Sequence, residues 1–151
     1  MKNMFTFLFV LTSSLLFSQH QNFNVKKGFI AEGYDVVSYF TSNKAIEGNK
    51  KIQTTYNNVK YAFVTEANKK TFLANPEKYI PQYGGWCAYA FGTTNEKVSI
   101  NPKTFEIRDG KLYLFYNSWG INTLEKWTNE NPEKLQESAD NNWKSLQEKQ
   151  E

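Results

Sequence analysis

The side chain with the most chemistry to offer is Cys87, the single cysteine of the chain, in the run Tyr83-Gly84-Gly85-Trp86-Cys87. A thiolate favours soft ions such as Cu(I). One thiolate closes no coordination shell, so further ligands would come from tyrosine, carboxylate, backbone carbonyl or a second chain. Gly84 and Gly85 allow backbone or ligand to approach closely. Tyr83 and Trp86 add aromatic walls of the kind that line small-molecule pockets. The run is thus a candidate site in two senses: a metal at Cys87, or a flat or apolar ligand against Tyr83, Gly84, Gly85 and Trp86. A third use, a redox-active thiol, requires an accessible thiolate. The competing reading is a tight turn beside a small buried hydrophobe, because free cysteine is among the most buried residue types. Tyr34, Tyr39, Tyr79, Tyr89 and Phe91 could enlarge an aromatic pocket. With 12 Phe, 9 Tyr and 4 Trp in the chain, core packing accounts for such residues more economically.

Other chemistries are thin. One cysteine excludes an intramolecular disulfide and a multi-thiolate metal centre. His20 is the only histidine; in a polar tail it is a poor base for a Cys-His nucleophile, which needs its base within hydrogen-bond reach. Asp35, Glu66, Glu77, Glu106 and Asp109 are available as acid-base groups, yet nothing in their spacing pairs two of them. Gly84-Gly85 lacks the Gly-Lys-Ser/Thr end of a phosphate-binding loop. The chain reads as non-catalytic. Its net charge of +3 is too small for the concentrated basic face of a nucleic-acid reader.

Elements must position these residues. Val36-Val37-Ser38-Tyr39-Phe40 is a strand or one helical turn, and Ser42 to Asn49 is a polar loop. Ile52–Tyr56 and Val59–Phe63 alternate apolar and polar around Asn57-Asn58, a hairpin pattern. Thr65 caps a helix from Glu66, with Ala67, Phe72 and Leu73 inward, ending at Asn75-Pro76. Phe105–Arg108 and Lys111–Tyr116 flank Asp109-Gly110, the strongest hairpin turn signal in the chain. Beyond Asn122 the pattern is helical: Leu124 and Trp127, then Pro132 opening a second helix with Leu135, Ala139 and Trp143 on one stripe. Trp119, Trp127 and Trp143 are expected on helices docked to the sheet. No internal repeat is evident. The expectation is an α+β fold, a small antiparallel sheet with packed helices and a C-terminal helical tail.

The 151 residues, 40% hydrophobic and 17% aromatic, suit one folded domain. Lys2 precedes an apolar stretch, Met4 to Phe17, that closes on Ser18. A positive charge, a short apolar run and a small residue describe a secretory signal peptide over residues 1–18, too short to span a membrane. Gln19 would be the new terminus, no stable membrane anchor would remain, and the protein would be periplasmic or secreted. Removing Lys2 leaves 17 cations against 15 acids, a charge of +2. Residues 19–27 read as a flexible segment, 28–120 as the domain and 121–151 as its helices.

Several motifs resemble the YHS domain family. Phe63 to Tyr79, ending in Asn75-Pro76-Glu77-Lys78-Tyr79, is similar to the family's core motif. Gly33-Tyr34-Asp35-Val36-Val37-Ser38-Tyr39-Phe40, Gln82-Tyr83-Gly84-Gly85-Trp86-Cys87-Ala88 and Asp109-Gly110-Lys111-Leu112-Tyr113-Leu114 resemble its exported, single-domain branch. The resemblance runs from about Gly28 to Trp143. It implies a fold more than a mechanism. The wider family is associated with copper and heavy-metal handling through cysteines in the motif; here those positions are Val64 and Asn68, so the thiolate pair is absent. The expectation is an exported binding or accessory protein, with copper at Cys87 as one reading and a metal-free small-molecule or protein-interaction module as the other.

Overall fold

The computed structural model describes residues 22–149; the expected signal peptide, Gln19 and His20 lie outside them. The fold is α+β. β1 (Val25–Lys26) and β2 (Phe29–Ile30) form a small hairpin, followed by the short helix α1 (Val36–Thr41). β3 (Asn49–Tyr56) and β4 (Val59–Phe63) form the first long hairpin, and α2 (Glu66–Ala74) and α3 (Pro76–Tyr79) close that half. α4 (Ala88–Thr93), β5 (Asn101–Arg108) and β6 (Lys111–Phe115) follow, then the small hairpin β7 (Asn117–Ser118) and β8 (Ile121–Asn122). α5 (Thr123–Asn129) and α6 (Pro132–Glu148) end the chain. Each of these hairpins is its own two-stranded antiparallel sheet, in place of the one small sheet expected. The turns are the predicted ones: Asn57 and Asn58, then Asp109 and Gly110, all have positive φ, as the tight hairpin turn that matches strand twist requires. Thr65 caps α2 by accepting from the Asn68 N–H at 3.1 Å, and Pro76 opens α3 at the position where its missing N–H costs nothing.

The two halves are one unit used twice, at a constant offset of 52 residues. α1 begins at 36 and α4 at 88; β3 at 49 and β5 at 101; β4 at 59 and β6 at 111. The correspondence reaches individual hydrogen bonds. Asp35 N donates to Ile46 O, and Cys87 N to Val98 O. Lys51 N donates to Asn49 Oδ1, and Lys103 N to Asn101 Oδ1. The strand register slips between Asn49 and Gln53 in one hairpin and between Asn101 and Phe105 in the other. Left-handed backbone recurs at Ala31, Glu32 and Gly33 (φ 47°, 56°, 88°) and at Tyr83, Gly84 and Gly85 (54°, 59°, 80°). This overturns the expectation of no internal repeat. The identities are Gly33/Gly85, Thr41/Thr93, Asn43/Asn95, Asn49/Asn101, Lys51/Lys103, Tyr61/Tyr113 and Phe63/Phe115, too scattered to read as a repeat along the chain. They fall where the fold constrains the residue: turns, a strand bend and the core face of the second strand.

Each unit buries its hairpin under a helix bearing one large aromatic. Phe72 of α2 packs on Tyr61 and Phe63, with ring centroids 4.5 and 5.3 Å apart. Trp127 of α5 packs on Tyr113 and Phe115 at 5.7 and 5.5 Å. Buried aromatics of this size dominate core energetics. α6 has no counterpart in the first unit; it lays Leu135, Ala139 and Trp143 against Tyr83, Ala88 and Phe91, the stripe expected from the sequence. Several expectations fail. Ala67 and Leu73 of α2 are exposed, leaving Phe72 as that helix's buried residue, because α2 covers the hairpin with a single row. Trp119 is on no helix: it tips the β7–β8 hairpin with φ +52° and is 94% exposed. Residues 22–27 are not loose, since Asn22 and Asn24 are buried and bonded to the second unit.

Candidate functional site

Cys87 sits where α4 begins, in the place that Asp35 holds before α1. Asp35 is fully buried and is a four-donor node: it accepts from Val37 N (2.9 Å), Ser38 N (3.3 Å), Val64 N (2.8 Å) and Asn68 Nδ2 (2.7 Å). One carboxylate thereby caps α1 and ties it to the end of β4 and to α2. A short polar residue directly before an apolar run is the signature of a helix start; it settles Val36–Phe40 as helix rather than strand. In the second unit the Cys87 sulfur accepts the Tyr116 N–H at 3.4 Å, and Tyr116 is the counterpart of Val64. It also lies 3.3 Å from Thr123 Oγ1, whose hydroxyl bonds the Tyr116 carbonyl at 2.9 Å. The thiol is fully buried. Sulfur thus does in one unit the tethering that a carboxylate does in the other.

The flanking residues are equally committed. Tyr83 is buried and donates its hydroxyl to Asp140 Oδ1 of α6 at 2.8 Å. Burial, then that carboxylate, holds the Tyr83 phenol well above its ordinary pKa. Tyr113 lies beside the pair with its hydroxyl buried and out of hydrogen-bonding geometry; burial first, then Asp140, pushes its pKa up to about 12. Gly84 is needed for space as well as for φ. A Cβ there would lie 2.6 Å from Asn22 O and 2.8 Å from the Trp143 ring. The N-terminal segment seals the turn: Asn24 N donates to Gly84 O (2.8 Å), Asn24 Nδ2 to Gly85 O (3.0 Å), and Trp86 Nε1 to Asn22 O (2.7 Å).

The structure therefore brings Tyr83, Gly84, Gly85, Trp86 and Cys87 together, with most of their polar atoms already used inside the protein. Tyr83 and Gly84 edge a cleft of about 290 Å³ with Phe23, Ile80 and Trp143; Trp86 and Cys87 do not line it. The wider set of aromatics does not converge. Tyr79 packs with the first unit's core, Tyr39 with a second cluster and Phe91 with a third. As a soft-metal site the arrangement does not fit: among the described residues no group of three His, Cys, Asp or Glu side chains comes together, and the lone thiol already has two partners.

A second concave region was not anticipated. It has a volume of about 480 Å³ and lies where Lys26, Lys27, Glu32, Tyr34 and Glu47 of the first unit meet the start of β5, Tyr116 and Ser118. Its signal in the sequence is faint, because the left-handed turn at Ala31 and Glu32 contains only one glycine, Gly33. No helix among the described residues is long and apolar enough to cross a membrane. No protein-family model matches the chain, and neither curated proteins nor solved structures include a significant match.

Proposed function

We propose that this chain is an exported, non-catalytic binding or accessory module of YHS type that works without a resident metal. The observation that carries the reading is the state of Cys87: its sulfur is buried and tethers Tyr116 and Thr123 as Asp35 tethers Val64. Copper handling needs that sulfur free and accompanied by further soft or imidazole ligands. The YHS resemblance supports the domain type, and the N-terminal charge and apolar stretch support export.

Native mass spectrometry of the purified protein, with and without Cu(I), tests the metal-free reading. The expected result is a bare mass in both. One copper per chain, lost in Cys87→Ser, would overturn it in favour of copper handling.

A further inference from the structure

The duplication makes the two halves comparable position by position, and around the left-handed turn they differ. In the second unit the turn Tyr83-Gly84-Gly85 is buried and the following aromatic, Trp86, is half-buried. Asn22, Asn24 and Trp143 lie on them, and the Trp86 indole N–H is bonded. In the first unit the matching Glu32 and Tyr34 border the open 480 Å³ cavity instead. Among the described residues, Tyr34, the counterpart of Trp86, has no side-chain hydrogen bond, and neither has Tyr116 across the cavity. The left-handed backbone at Ala31 and Glu32 is uncommon for residues with a side chain. Strain of this kind marks positions that the fold has reason to hold.

The charges around the cavity define what would enter it. Lys26 is neutralised by Glu32 at 2.8 Å. Lys27 and Lys103 have no ion-pair partner among the described residues, and Glu47 is the remaining carboxylate of the lining. Two such ammonium groups call for an anion. Glu47 would repel a bare one but accepts hydrogen bonds from hydroxyl groups, and the Tyr34 and Tyr116 phenols both donate and accept. Directly after Ser118, which lines the cavity, Trp119 is almost wholly exposed at a turn position that Asn or Gly normally fills.

We infer that this cavity binds a small polyhydroxylated anion, a sugar acid or sugar phosphate, with Lys27 and Lys103 on the anionic group and Tyr34, Tyr116 and Glu47 on the hydroxyls. The inference rests on the reading of the chain as a binding module and names its site and ligand class.

Calorimetric titration of the purified full chain with glucuronate, glucose 6-phosphate and glucose, each in low and high salt, tests it. At least one anionic sugar should bind, more weakly as salt rises, with glucose about tenfold weaker or worse. The two anions separate a carboxylate from a phosphate source. Lys27→Gln with Lys103→Gln should weaken binding about tenfold, and Tyr34→Phe about threefold. Lys111→Gln, outside the cavity, should change nothing. Absence of binding by both anions, equal binding of glucose, or unaltered affinity in the lysine and Tyr34 variants would overturn the proposal. Failure of the module reading shows separately, as copper retention that depends on Cys87.

Discussion

Cys87 behaves as a tether at the scale of the single residue, and its chemistry follows from that. A thiol with no exposed surface should resist a maleimide in the native protein and react only after unfolding, which a mass-based labelling time course reads directly. Rapid native labelling would contradict the buried geometry. Asp35 carries more weight. Its two oxygens serve four donors, so Asp35→Ala should cost about 3 kcal/mol in urea denaturation and Asp35→Asn less, because the amide oxygen still accepts. The tyrosine pair under α6 makes a sharper contrast. Tyr113 keeps a buried hydroxyl without a hydrogen bond, and such a group costs about 1 kcal/mol or more. Tyr113→Phe should therefore stabilise the protein or leave it unchanged. Tyr83→Phe takes the donor from Asp140 and should cost about 1–2 kcal/mol.

Glycines at turns separate backbone strain from crowding at the scale of the element. Gly110 has φ +71° and open space where a Cβ would point, with no atom within 4 Å of that position. Gly84 combines φ +59° with backbone and indole at 2.6 and 2.8 Å from the same point. Gly110→Ala should cost about 1 kcal/mol, the left-handed penalty alone. Gly84→Ala should cost on the order of 3 kcal/mol, strain and overpacking together, and should loosen the contact with residues 22–24. Amide exchange at Asn24, whose N–H bonds Gly84 O, reports that loosening; equal costs at the two glycines would show that the packing against Asn22 and Trp143 contributes nothing. The elements are legible in the sequence where local chemistry sets them. Asn57-Asn58 and Asp109-Gly110 mark their turns by tolerating positive φ, and Thr65 and Pro76 mark helix starts by hydrogen bonding and by fixed φ. Trp119 is not legible, because its turn contradicts the residue preference that would locate it.

At the scale of the whole molecule, the buried tyrosines couple stability to alkaline pH. Burial holds Tyr39, Tyr61 and Tyr83 far above the ordinary phenol value and Tyr113 up to about 12. The folded state keeps protons that the unfolded chain surrenders near pH 10, so this contribution is complete below about pH 10 and is lost as pH rises. Denaturation midpoints should be insensitive to these phenols at pH 8 and 9 and fall steeply between about pH 10 and 12. Tyr113→Phe should make the fall shallower, and an unchanged slope would exclude Tyr113 from it.

The α+β class, the two long hairpins and the terminal helices are readable from the sequence, because turn chemistry and apolar periodicity act within a few residues. The duplication is not, since what the two units share is φ angles, hydrogen bonds and register, which different side chains satisfy. Asp35 and Cys87 illustrate this: no sequence rule equates a carboxylate with a thiol, yet each accepts the N–H that leaves the second strand. Whether Tyr83 to Cys87 face solvent or core is likewise decided only by tertiary structure. The segments that cover them, residues 22–24 and α6, lie about 60 positions away on either side, and only the folded chain brings such distant stretches together.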